Sequence, residues 1–266
     1  MTLKFKSIRS SSAANCVLIS TGSTQILIDC GIESQTECKR LLNKHAGRIE
    51  DIDAVLVSHS HTDHINHHTL HVLAVHGIPI RAHRSVLKQI YCKHKCTGRK
   101  ESPVLAEFSD DSFQVGDLEI TPMEVPHEPG VPTYGFVIHH RSGSKRRKVV
   151  VCTDFYSYEN VVSHFADADL IFVESNHDLD LLKKNPNYAS RYHLSNPRTA
   201  GLLYHAISDS KHSPQHVMLG HLSDERNREK LALGTIEKLF DQKRRKLDFE
   251  LSAAPLYKAS ETICVE

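Results

Sequence analysis

The stretch Asp53-Ala-Val-Leu-Val-Ser-His59-Ser-His61-Thr-Asp63-His64 constrains this chain more than any other. Its apolar run, Asp53–Val57, reads as a buried strand. The strand empties directly into a loop carrying four potential metal ligands in six residues. In extended backbone His59 and His61 point the same way, because side chains alternate with period two. A turn then returns Asp63 and His64 toward them. The outcome is a nitrogen-rich group beside a mixed nitrogen/carboxylate group. Imidazole suits zinc, and the carboxylate widens tolerance to manganese or iron. The plainer reading, a surface loop of solvated side chains, requires four ligand-type residues to meet at a strand end by chance.

Around that stretch, short β-type runs alternate with helical ones. Val17–Ser20 and Gln25–Ile28 flank Thr21-Gly22-Ser23 and read as a hairpin. Helical spacing runs over His68–His76 and Ser85–Lys95. Strands are predicted at Asp117–Val125, Thr133–His140, Lys148–Cys152, Leu170–Val173 and His216–Leu219, with Leu247–Leu251 last. Pro197–Ile207 and Ser223–Gln242 are the clearest helices. Hairpins dominate early and strand–helix alternation later, which gives a mixed α/β chain of layered sheets and helices. No linker or shift in composition divides it, so residues 1–266 read as one domain. A small repeat, His193-Leu-Ser-Asn and His221-Leu-Ser-Asp, stands before two of the helices. Ser, Asn and Asp are good N-caps, so each cap is expected to fix the preceding His at the mouth of a loop.

Composition narrows the classes. Net charge is +1, which marks out neither a nucleic-acid binder nor a membrane-surface protein. No apolar run reaches the length of a membrane span, and the N-terminal MTLKFKSIRSSS lacks the apolar segment of a signal peptide. The seven cysteines follow no framework of spacings. A soluble, cytoplasmic protein with reduced thiols is expected. The 20 His are the outlier, and much of the excess lies between His59 and His83.

His59-x-His61-x-Asp63-His64 resembles the metal-binding motif of the metallo-β-lactamase superfamily. The rest of that pattern follows in order along nearly the whole chain. Asp29 matches an early strand-end Asp, His127 the next ligand, Asp154 the bridging carboxylate and His221 the last ligand. The resemblance implies a four-layer αββα sandwich and two divalent ions, zinc or manganese with iron also compatible. It assigns His59, His61 and His127 to one ion, and Asp63, His64 and His221 to the other. Asp154 lies between them, and Asp29 orients a ligand His. Two ions about 3.5–4 Å apart can share a hydroxide and stabilise both ends of a displacement. The family's Gly three residues after the motif is replaced by His67, so His64, His68 and His71 can share a helical face. That leaves a third metal site or solvated His as alternatives.

Ser10-Ser-Ser-Ala-Ala-Asn-Cys16, Glu174-Ser-Asn-His-Asp178 and the His193 loop resemble the YycJ/WalJ-type branch, regarded as phosphodiesterases or DNA nucleases. Tyr192 replaces that branch's usual Gly. The resemblance implies a phosphodiesterase acting on nucleic acid or a small phosphodiester, with Asp63, Asp154 and His193 in catalysis. His193 is the expected proton donor or phosphate contact. Asn176 and His177 either touch substrate or tie loops together. Arg191 and Arg198 flank His193 and suit a phosphate. Lys145–Lys148 and Lys243–Lys246 are more ordinary as solvated charge, and Cys92-x-His94-x-Cys96 lacks the second pair of a zinc site. Two rival readings remain: an acyl hydrolase (thioesterase or lactonase) using the same site, and a metal-binding scaffold without catalysis.

Overall fold

The structure, a computed structural model, describes residues 2–95 and 101–266. Its first half runs β1 (Leu3–Ser10), β2 (Asn15–Ser20), β3 (Gln25–Ile28), α1 (Gln35–Ala46), β4 (Ala54–Val57), α2 (His67–Val75), β5 (Ile80–His83), α3 (Arg84–Lys95) and β6 (Leu105–Phe108). The second half begins with β7 (Phe113–Val115), β8 (Leu118–Val125), β9 (Thr133–Ser142) and β10 (Lys145–Cys152). It continues with β11 (Leu170–Glu174), α4 (Leu179–Lys184), α5 (Asn196–Ser208), β12 (His216–Gly220), α6 (Glu229–Gln242) and β13 (Glu250–Ala253). β14 (Ile263–Val265) then returns to pair antiparallel with β1.

Among the described residues the strands form two seven-stranded sheets, ordered β14-β1-β2-β3-β4-β5-β6 and β13-β12-β11-β10-β9-β8-β7. Each sheet is antiparallel at one end and parallel at the other. β3 to β6 run parallel in the first, β10 to β13 in the second. Parallel strands buried on both faces need continuous apolar sequence, and AVLV of β4 and LIFVE of β11 are buried throughout. The inner faces meet in one core, where Phe5 lies 5.4 Å from Phe172 between ring centroids. Leu42, Leu70 and Leu73 close the first sheet's outer face, while Leu203, Ile236 and Phe240 close the second's. The chain is therefore the expected four-layer αββα sandwich.

Several elements differ from the sequence reading. β1 and α1 were not anticipated. Lys4, Lys6 and Arg9 interrupt the apolar signal of β1, and α1 is mostly polar, although Ser34 caps it by accepting from the Glu37 amide. α6 begins at Glu229 rather than Ser223, because 223–228 is a loop pinned by the buried Asn227 side chain, which donates to Ser175 O (2.6 Å) and Asn196 Oδ1 (2.8 Å). The strand expected at Leu247–Leu251 is β13, Glu250–Ala253, and β14 follows it. No helix among the described residues is long and apolar enough to cross a membrane.

Candidate metal centre

The C-terminal ends of the parallel strands converge at one edge of the sandwich, where open α/β sheets commonly place their sites. β3 delivers Asp29, β4 the His59–His64 loop, β10 Asp154, β11 Glu174 and β12 His221. Asp29, Asp154 and His221 hold left-handed backbone, with φ of 58°, 63° and 50°. Non-glycine residues rarely adopt this conformation, and such strain concentrates at functional sites.

Among the described residues five overlapping donor groups form. His59, His61 and His127 come together in one and Asp63, His64 and His221 in another; Asp154 joins His59 and His64 in a third, and His193 joins His127 and Asp154 in a fourth and Glu174 and His221 in a fifth. His127 Nε2 lies 3.5 Å from His61 Nδ1. Asp63 Oδ2 lies 3.2 Å from His64 Nε2 and 3.4 Å from His221 Nε2. Asp154 stands between the first two groups: Oδ2 is 3.1 Å from His64 Nε2, and Oδ1 is 3.5 Å from His221 Nε2 and 4.0 Å from His127 Nε2. Among these donor atoms His59 Nε2 and Asp154 Oδ2 are buried with no hydrogen-bond partner, the latter close to His64 but out of hydrogen-bonding geometry. Orphaned buried polar atoms are costly unless something else satisfies them. Converging imidazole and carboxylate atoms fit divalent cations, so these donor groups could hold metal.

Charge follows the same geometry. Burial, reinforced by neighbouring His charge, pushes His59 well below the usual imidazole range. Burial likewise lowers His61 and His127, keeping neutral rings suited to ligation. Burial opposes ionisation of Asp63 and Asp154. His64 and His221 nevertheless hold both carboxyls well below their ordinary range. His64 itself is raised despite complete burial, because Asp154, Asp63 and Asp29 surround it.

Neighbouring side chains fix the donors. Asp29 accepts from the Ser58 amide and hydroxyl, both at 2.8 Å, and its Oδ2 lies 2.7 Å from His64 Nδ1. The Ser-rich stretch from the end of β1 to the start of β2 has specific work. Ser10 Oγ accepts from the His221 amide at 2.7 Å, and Asn15 Nδ2 donates to Asp63 Oδ2 at 3.2 Å. Asn176 Nδ2 contacts His221 at Nδ1 (3.2 Å) and O (3.1 Å). His177 is buried and pairs with Ser195 in an isolated β-bridge, so it ties loops together.

His193 stands outside the His59-His61-His127 and Asp63-His64-His221 groups but could join a metal with His127 and Asp154 or with Glu174 and His221. Its Nδ1 is 3.0 Å from Glu174 Oε2 and 3.7 Å from Asp154 Oδ1. Glu174 is fully buried, and its Oε1 also accepts the amides of Phe155 (2.8 Å) and Leu194 (3.0 Å). Burial opposes charge on His193, but the Glu174 carboxylate lifts it to about 9. Sequence reasoning assigned Glu174 no role. The available signal was an acid ending an apolar parallel strand between two other site-bearing strands. The expected N-caps do not set the two His: Ser195 makes no side-chain cap bond, and Ser223 lies six residues before α6. Glu174 holds His193 instead, and Ser10 and Asn176 hold His221.

A cavity of about 380 Å³ opens over this centre, lined by His61, Asp63, His127, Asp154, His193 and His221 among others. Asn176 lines it; Arg191, Arg198 and His177 do not. The Arg191 guanidinium lies 3.4 Å from the Tyr188 ring centroid and 4.5 Å from that of Tyr192. Arg198 pairs with Glu159 at 2.6 Å over the Tyr158 ring. Arg226 reaches the cavity wall, though it pairs with Glu225 at 2.9 Å. Among the described residues no potential metal group includes His67, His68 or His71, and His71 lies 3.7 Å from Glu101. Cys92 is exposed, and Cys96 lies outside the described residues.

A two-sheet sandwich with His and Asp donors clustered at one edge defines a metallo-β-lactamase-fold hydrolase. The chain belongs to the beta-lactamase superfamily, whose domain model matches residues 24–221. It is 27% identical over 241 residues to exodeoxyribonuclease WalJ of Streptococcus pneumoniae, covering 86% of this chain and 85% of that one. It is 24% identical over 260 residues to exodeoxyribonuclease YycJ of Bacillus anthracis, 91% of each. Among solved structures, the metallo-β-lactamase-fold protein YhfI of Bacillus subtilis superposes with a TM-score of 0.74 at 20% identity, covering 98% of this chain and 99% of that one.

Proposed function

We propose that this chain is a two-metal phosphodiesterase, working as one domain in the cytoplasm, with a nucleic-acid strand, DNA foremost, as its natural substrate. The observation that carries the reading is the pair of donor groups around Asp154, with His193 held beside them by Glu174. His59, His61 and His127 would hold one divalent ion and Asp63, His64 and His221 the other, with Asp154 common to both. Zinc or manganese suits these donors, with iron also compatible. When bound, the ions would supply Lewis acidity that activates water and neutralises charge on phosphoryl oxygens.

The chain's own groups do the rest. Asp29 and Asn176 set the orientation of His64 and His221. Glu174 keeps His193 protonated, and no described residue takes its Nε2, so the ring is placed to donate a proton to the leaving oxygen. Nuclease-named relatives at 24–27% identity support the substrate class. The polar wall of the catalytic cavity supports a phosphodiester, whose charge develops on oxygens that such groups can meet. Arg191 and Arg198 are engaged on aromatic rings and Glu159, and Arg226 is paired with Glu225, so phosphate contact is assigned to the metal centre.

The test is a turnover panel, with zinc and with manganese: an aryl phosphodiester, single- and double-stranded DNA, RNA and a thioester. Phosphodiester turnover should exceed thioester turnover with the same metal. Efficient thioester cleavage with no phosphodiester cleavage overturns the reading in favour of an acyl hydrolase.

A further inference from the structure

A second cavity, of about 480 Å³, lies directly behind the wall of the catalytic one, and the two share Ser223 and Asp224. Its character is different. Leu222, Ala254, Pro255, Leu256 and Tyr257 give it an apolar part, and Asp224 and Glu229 are matched in number there by Arg228 and Lys258. Tyr257 is 62% exposed, yet its ring is anchored, because its hydroxyl donates to Asp224 Oδ2 at 2.7 Å. Lys258 is exposed and makes no ion pair among the described residues. The mouth of the catalytic cavity is acidic by comparison. Glu128, Asp224 and Glu225 line it, and its Arg226 is already paired. A polyanionic backbone therefore gains little from tracking that mouth. A substrate whose phosphate sits at the metal centre must take its remaining binding energy from another surface.

We propose that this second cavity is a nucleobase subsite: an unpaired base flanking the scissile phosphate inserts against the Tyr257 ring, and Lys258 meets the neighbouring phosphate. The inference rests on the phosphodiesterase reading and deepens it to a substrate with an unpaired strand end. Three features favour this occupant. The size suits one nucleoside, since ligand cavities run about 300–1,000 Å³. An anchored, exposed aromatic ring with a free cation nearby is the combination that binds single strands without reading sequence. The shared Ser223-Asp224 wall makes the two cavities neighbours, as a flanking nucleotide requires. A base stacked inside a paired duplex has no free face to offer the Tyr257 ring.

The test compares wild type, Tyr257→Ala and Tyr257→Phe, loaded with zinc or manganese, on three substrates. These are a short single-stranded oligodeoxynucleotide, the same strand with abasic terminal residues, and methyl 4-nitrophenyl phosphate. Tyr257→Ala should raise KM for the oligonucleotide about tenfold, the scale of losing one stacked base. Tyr257→Phe, which keeps the ring, should stay within about threefold of wild type. The abasic strand should be handled equally by wild type and Tyr257→Ala, and the small diester equally by all three. Quenching of a terminal 2-aminopurine on binding should be lost in Tyr257→Ala. If wild type cleaves the small diester and the oligonucleotide but Tyr257→Ala leaves KM and quenching unchanged, the subsite is refuted while the phosphodiesterase reading stands. If wild type cleaves neither, both fall. A concentration-dependent dimer abolished by Leu256→Asp would show that a second copy covers the cavity, and would also overturn the proposal.

Discussion

Replacing Glu174 with Gln separates proton donation from the rest of the site. Glu174 is buried and takes three N–H groups: the Phe155 and Leu194 amides on Oε1 and His193 Nδ1 on Oε2. Glutamine keeps one acceptor oxygen. The two amides claim it, since an NH2 group there would face two donors. The new NH2 must then face His193 Nδ1, donor against donor, and His193 has to surrender that proton. Each surviving amide bond loses the advantage of a charged acceptor, about 1 kcal/mol, so Glu174→Gln should cost roughly 2 kcal/mol of stability. The chemical effect should be larger. His193, lifted to about 9 by Glu174, becomes neutral at pH 7.5, and its contribution as general acid is on the order of 10²–10⁴-fold. That loss should depend on the leaving group. An alkoxide leaving from DNA needs a proton, whereas 4-nitrophenolate does not. Glu174→Gln should therefore lower kcat on an alkyl phosphodiester by 100-fold or more and on a 4-nitrophenyl diester by less than about tenfold, with metal content unchanged. In wild type the acid form of His193 is the active one, so alkyl-diester cleavage should fall as rising pH deprotonates it, and Glu174→Gln should move that fall to lower pH. Equal losses on both substrates, with metal retained, would mean that His193 positions groups but moves no proton.

Three further outcomes follow from single observations. Protein purified without chelator should carry close to two equivalents of transition metal, and Asp154→Ala should lower that number with more than about 100-fold loss of turnover; wild-type turnover in a folded variant would remove Asp154 from its shared position. In Gly31→Ala the new Cβ would stand 1.7 Å from the Asp63 carbonyl oxygen, so the ligand loop must move. A cost at or beyond the upper end of about 1–3 kcal/mol, with weaker metal binding, should appear in denaturant titrations. Gly234→Ala, in open space on α6, should instead gain about 1 kcal/mol. Burial, with help from Arg146 and Lys148, holds His139 down to about 4. The folded state therefore refuses a proton that the unfolded chain accepts below about 6.5, so stability is full above that pH and declines toward 4. Urea midpoints for His139→Gln should fall less steeply over that window; parallel curves would show that His139 carries none of the slope.

How much of this was legible in the sequence depended on how local each signal is. The donors of the His59–His64 loop sit within six residues, and the strand feeding them is uniformly apolar, so motif and fold class could be read directly. β1 and α1 escaped because tertiary contacts bury residues that are polar in sequence: Arg9 is enclosed by its pair with Glu37 at 2.7 Å, on a helix 28 positions away. The groups that position the donors are equally remote. Ser10 reaches His221 across 211 positions and Asn15 reaches Asp63 across 48. Proximity in sequence misled in the opposite sense. Arg191 and Arg198 flank His193, but they leave it on different elements. Tyr188–Tyr192 is a turn of 3₁₀ helix, His193 itself is extended at φ −128° and ψ 154°, and α5 begins at Asn196. Each change of backbone turns the next side chain to a new direction. The two arginines consequently stack on Tyr188 and pair with Glu159, while His193 alone meets Glu174 and Asp154. The charge around the centre was hidden for a related reason. A net charge of +1 averages over a surface on which Glu128, Asp224 and Glu225 gather at one cavity mouth, and only the fold brings residues nearly a hundred positions apart to a single rim. That acidic rim is why the proposed strand subsite rests on the Tyr257 ring and Lys258 beside the centre rather than on basic residues around it.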